Sequence, residues 1–138
     1  MKQGLVILFV VFAAFASFGQ KNCQCPSIDS YFQKKYQDST LLYATENLKS
    51  VGWNFFKSTN PRCKSFGYHL IAQDYLNNYQ FEAAKKNLEK ELFLLDSIRC
   101  FKSGYLLNTI SFGDYYLRVG ENELALAAYQ KAIAIIGK

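Results

Sequence analysis

Proline is almost missing from this 138-residue chain: there are two, along with one histidine, one methionine and one tryptophan. With so few prolines, long stretches can run as uninterrupted helix, because an interior proline removes a backbone donor and clashes with the preceding turn. A single histidine, His69, leaves little material for general-base or metal chemistry. The chain also lacks G-x-S-x-G, H-E-x-x-H and any glycine loop able to cradle phosphate. Hydrolytic, zinc-dependent and nucleotide-dependent reactions are therefore not expected, nor is a cofactor or a bound metal. Blocks of like charge are missing too. The formal net charge is +5, but the lysines are scattered along the chain, so a nucleic-acid partner is not expected. What the chain does have is apolar mass, with half of its residues hydrophobic and 17% aromatic, enough to fill the core of one domain.

The first residues are Met1-Lys2, followed by an apolar run from Leu5 to Ala16 and then the small residues Ser17 and Gly19. A positive start, a run of that length and a small-residue exit form the pattern of a secretory signal peptide, with cleavage expected after Gly19. A membrane span needs about 20 apolar residues, and this run is shorter. Cys23 lies too far beyond the exit for lipoprotein processing. The expected organisation is a signal peptide over 1–19, a tail over 20–26 and one helical domain over 27–138, with a secreted or periplasmic location and no stable membrane span after cleavage. Loss of Lys2 lowers the formal charge from +5 to +4.

From Ser27 onward the apolar residues recur at helical spacing, interrupted by Ser58–Cys63 and by the stretch from Asp96 to Gly104. These breaks predict three antiparallel helical hairpins, at about 27–57, 64–97 and 104–137, and an all-α fold. The clearest stretch is Phe112 to Ala132. Two amphipathic segments there meet at Gly120-Glu121-Asn122, with Gly120 suited to a left-handed helix end. Carboxylates such as Glu89 and Glu91 alternate with Lys85, Lys86 and Lys90, which reads as the salt-bridged solvent face of a helix.

This last hairpin resembles the tetratricopeptide repeat (TPR) family, whose pattern is W-x2-L-G-x2-Y-x3-G-x-Y-x2-A-x3-Y-x2-A. The corresponding residues are Thr109, Phe112, Gly113, Tyr116, Gly120, Asn122, Ala125, Tyr129 and Ala132, with Thr109 and Asn122 as departures. The middle hairpin follows less closely through Tyr68, Ile71, Ala72, Tyr75, Tyr79, Phe81, Ala84, Leu88 and Glu91, departing at Tyr79 and Glu91. The first matches in outline through Ile28, Tyr31, Phe32, Leu41, Ala44, Leu48 and Val51. Its alternative is one long helix kinked near Gly52. Ala44 to Ala84 is 40 residues and Ala84 to Ala125 is 41, against about 34 for the plain family repeat, and the excess is assigned to the linkers Ser58–Lys64 and Arg99–Gly104. The resemblance implies an α-solenoid of about three stacked hairpins that binds a protein or peptide. Its groove would be lined by Phe66, His69, Gln73, Leu76 and Asn77 in the middle hairpin and by Leu107, Ile110, Asp114, Leu117 and Arg118 in the last. Only Asn77 and Arg118 suit the carboxylate clamp known in the family, so a receptor for a terminal carboxylate is not expected.

Two further expectations concern the edges of the stack. Cys23, Cys25, Cys63 and Cys100 fall before the first hairpin and in the two linkers, so all four should line one rim. Of the three possible pairings, Cys63 with Cys100 is favoured, leaving Cys23 and Cys25 to pair locally or stay reduced. A C-x-C pair with His69 elsewhere makes a poor metal set. The final run from Leu124 to Ile136 is apolar nearly all round the helix, where a surface helix should be polar on its outer side. Leu126, Ile133 and Ile136 are expected to form an association face, either for another protein or for a homodimer.

Overall fold

The computed structural model describes residues 23–37, 47–99 and 102–137. These residues form six helices and no strand: α1 Pro26–Gln37, α2 Leu48–Phe56, α3 Pro61–Asn77, α4 Phe81–Ile98, α5 Ser103–Arg118 and α6 Asn122–Ile136. The all-α expectation is met. The signal peptide, Leu41, Ala44 and Cys100 lie outside the described residues. The first region is not one long helix kinked at Gly52. α1 and α2 are separate, and Gly52 sits within α2 at its crossing with α3. There a Cβ on Gly67 would stand 2.7 Å from the Phe56 nitrogen, so the two backbones touch.

Side chains written into the linkers set the helix starts. Asn60 Oδ1 accepts from the Arg62 and Cys63 amides at 2.9 and 3.3 Å, and Pro61 occupies the first helical position, where no amide is needed. Asn47 caps α2 in the same way, accepting from Ser50 N at 2.9 Å. Because α3 begins at Pro61, the linker before it is short. Pro61 to Lys64 and Ser103-Gly104, assigned to the linkers, belong to α3 and α5, and α3 and α4 run 17 and 18 residues.

Each of α2 to α5 packs on the helix that follows it, α3 also touches α5, and α1 lies against α3. Lys64 at the start of α3 shares a cleft with Leu94 near the end of α4, and Leu76 at the end of α3 shares a cluster with Ala84 near the start of α4, so the two helices run antiparallel. Two turns close the later hairpins identically. In the first, Gln80 N donates to Tyr75 O (2.9 Å) and Tyr79 N to Leu76 O (3.2 Å). In the second, Glu121 N donates to Tyr116 O (2.9 Å) and Gly120 N to Leu117 O (3.3 Å). Both are Schellman caps offset by 41 residues, with Tyr79 at φ 59° and Gly120 at φ 84°. Tyr79 thus adopts the left-handed conformation that Gly120 takes without a Cβ penalty.

Two apolar clusters fill the interior. Phe66 is the hub of one, with Tyr31, Phe32 and Phe55 packed around its ring at centroid distances of 5.7, 5.6 and 5.0 Å. The second joins Ala72, Leu76, Ala84, Leu88 and Tyr115. Ala84 and Ala125, at matching positions in the two hairpins, are both buried where helices cross.

A disulfide joins Cys25 to Cys63, so the favoured Cys63–Cys100 pairing is corrected. The tail folds back onto the start of α3, where Asn60 Nδ2 donates to Gln24 O at 2.8 Å and Cys25 comes within 5.3 Å, Cα to Cα, of Cys63. Cys23 is disulfide-bonded as well, so neither tail cysteine stays reduced. Closing a loop of 38 residues stabilises the fold by about 4 kcal/mol on the loop-entropy account.

Candidate interaction surfaces

The row expected to line a groove does not form an open one. Phe66 and Leu76 are each 1% exposed and His69 is also buried. Gln73 Nε2 donates to Ser111 Oγ at 2.6 Å, Leu107 packs on the Phe66 cluster, and Ile110 is half-buried. Asp114 accepts from Tyr129 Oη at 2.6 Å. Asn77, Leu117 and Arg118 remain exposed, although Arg118 Nη1 donates to Leu76 O at 3.0 Å. The reasons are geometric: rings of α1 and α2 close over Phe66, Tyr129 of α6 engages Asp114, and Gln73 and Arg118 bond across the contact between α3 and α5.

Between these helices lies a polar seam that periodicity had put on the surface. Glu91 is 1% exposed. Its carboxylate accepts from Asn108 Nδ2 of α5 at 2.9 Å and faces His69 Nδ1 of α3 at 3.3 Å. Because a carboxylate only accepts, the imidazole proton sits on Nδ1. Asn108 Nδ2 also donates to Leu88 O at 3.0 Å. One side chain from each of the two neighbouring helices, α3 and α5, thus converges on a single carboxylate of α4, and no buried side-chain polar atom among the described residues is left without a partner. At the disulfide end of the seam Arg62 donates to Ser65 Oγ at 3.1 Å and to Ser103 Oγ at 3.4 Å. Burial pushes its guanidinium below the ordinary arginine pKa, while the nearby charges of Glu91 and Asp29 pull it back up. The signal for Glu91 was present in the sequence. Ala84, Leu88, Glu91 and Leu95 share one helical stripe, and Glu91 stands where the repeat pattern has alanine.

The three side chains expected to form an association face lie on the surface. Leu126, Ile133 and Ile136 are 59, 68 and 64% exposed. The offset of 41 residues explains why. Ile136 corresponds to Leu95, which is fully buried because α5 lies over it, so closely that a Cβ on Gly104 would stand 2.5 Å from a Leu95 methyl. Ile133 corresponds to Leu92, which is half-buried. The face that α4 presents to the next helix is thus repeated on α6, where no helix among the described residues covers it.

Among the described residues no group of three histidine, cysteine, aspartate or glutamate side chains is placed to hold a metal ion. No described helix is long and apolar enough to cross a membrane. No family model, curated protein or solved structure matches the chain.

Proposed function

We propose that this chain is an exported helical-repeat module of the tetratricopeptide kind, a short α-solenoid that acts by holding a protein partner rather than by catalysis. The observation that carries this reading is the contrast between Leu95 and Ile136, two matching residues of which one is sealed by the next helix and the other is 64% exposed. A partner helix seated on α6 as α5 sits on α4 would remove that apolar row from water. Burying the three side chains would contribute about 1.5–3 kcal/mol each before association costs. Export is supported by the leader-like start of the sequence and by the Cys25–Cys63 disulfide, a bond that persists in oxidising compartments.

A second reading is self-association through the same face. Leu126 and Ile133 are seven residues apart, a spacing that lets two copies of one helix pair along a common seam. One experiment tests both readings. A photo-crosslinking amino acid placed at position 136 is expected to capture a helix of a second protein in the exporting cell, and Ile133→Glu is expected to abolish the product. Capture of another copy of the chain would establish the homodimer instead. If the residue captures only solvent while the protein runs as a monomer, both readings fail.

A further inference from the structure

We propose that the cleft between α3 and α4, on the side away from α5, is a second interaction site, which takes an acidic segment of a partner protein anchored by one large apolar side chain. The cleft is independent of the α6 face. Its volume is about 510 Å³, and its walls carry Lys64 and Tyr68 from α3 with Lys86, Lys90 and Phe93 from α4.

Three observations specify the occupant. The first is unspent charge. Three ammonium groups share the cleft with one carboxylate, Glu89, and among the described residues none of the three is in salt-bridge reach of a carboxylate. The alternation of lysine and glutamate along α4 suggested mutual neutralisation, but Glu91 has turned inward to His69 and Asn108, and Glu89 makes no ion pair with any of the three lysines. The second is order. Lys90 Nζ stands 5.8 Å from the Tyr68 ring centre and Lys64 Nζ 5.0 Å from that of Phe56, so two of the cations rest on aromatic faces. Phe56 meets Tyr68 edge-on at 5.1 Å, and this ties the wall to the end of α2. The third is exposed aromatic surface. Phe93 is 77% exposed beside Leu94, an apolar patch alongside the three cations.

Cations that keep no carboxylate partner attract an anionic ligand, and the exposed phenyl ring rewards one that also brings apolar surface. A cleft of about 510 Å³ has room for one large side chain and its flanking backbone. An anionic bilayer, by contrast, engages protruding surfaces.

Anisotropy titration of the purified protein with two labelled peptides tests this. Each peptide has a central tryptophan, flanked by glutamates in one and by lysines in the other. The glutamate peptide is expected to bind and to weaken as salt is raised, while the lysine peptide should not bind. Lys86→Glu with Lys90→Glu should weaken binding by about tenfold or more, and the milder Lys86→Gln with Lys90→Gln should move it the same way. Phe93→Ser should weaken it about fivefold at low and high salt alike, because it removes an apolar contact. These side chains are exposed, so the variants are expected to keep their melting temperature. Equal binding of both peptides, unchanged affinity after charge reversal, or no effect of Phe93→Ser would overturn the proposal. So would tighter binding, through the same lysines, of vesicles containing phosphatidylserine.

Discussion

The middle hairpin, α3 with α4, and the last, α5 with α6, share one backbone plan. Their turns use the same hydrogen bonds 41 residues apart, and the same alanine lies buried after each turn. Their interiors are nonetheless held together differently. α4 lies between α3 and α5, and where the pattern has a small residue it carries Glu91, which gathers one polar side chain from each neighbour. α6 has a described neighbour on one side only. At the matching position it carries Ala132, and its hold on α5 comes from Tyr129, whose ring lies over Gly113 and whose hydroxyl donates to Asp114. The difference teaches that the same hairpin can be closed by buried polar convergence where three helices meet, and by a ring over a glycine where two do.

Breaking the middle hairpin should have the largest effect. Glu91→Ala leaves Asn108 and His69 facing an empty acceptor site, and is expected to lower unfolding stability by about 3 kcal/mol in denaturant titration. A loss under about 1 kcal/mol would mean that water replaces the carboxylate. The last hairpin should be most sensitive at its glycine. A Cβ at Gly113 would stand 2.6 Å from the Tyr129 ring, so Gly113→Ala is expected to cost about 2 kcal/mol through overpacking. The middle hairpin already has alanine, Ala72, at the matching position. The turns form the third contrast. Gly120→Ala should lose about 1 kcal/mol from backbone strain alone, since nothing lies within 4 Å of the added Cβ. Tyr79→Gly should gain a smaller amount, as relief of the left-handed strain is partly offset by added freedom in the unfolded chain.

The smallest expected effect is a pH dependence that originates in the last hairpin, at Tyr129. The hydrogen bond to Asp114, then burial, then the Asp114 charge hold the Tyr129 phenol up at about 12, while the Arg118 charge works in the opposite direction. A folded-state pKa above the unfolded value gives a stabilisation that is complete below the ordinary phenol value near 10.0 and is lost as pH rises towards about 12. Melts between those limits should show a decline that Tyr129→Phe removes. At the matching position the middle hairpin carries Leu88, which has no proton to lose.

Much of the fold was legible in the chain. Scarce proline, helical periodicity and the breaks at Asn60-Pro61 and Gly120 identify the hairpins, and Ala84, Ala125 and Gly113 mark their crossings. The apolar face of α6 could be read directly, because a stripe with no polar outer side needs no knowledge of its neighbours. Residues whose role depends on which helix lies opposite could not be read this way. Phe66 seemed groove-lining until the rings of α1 and α2 closed over it, Leu76 until α4 and α5 did, and Cys63 seemed nearer Cys100 until the tail turned back to it.

Local pattern alone therefore determined the helical class, the position of the turns and the apolar strip on α6, since each follows from spacing along one helix or from the conformational range of one residue. Only the tertiary structure decided that Glu91 is interior, that Lys64, Lys86 and Lys90 keep their charge unpaired, and that Cys25 rather than Cys100 meets Cys63. Those outcomes turn on distances between segments far apart in the chain, and periodicity carries no information about which faces will meet.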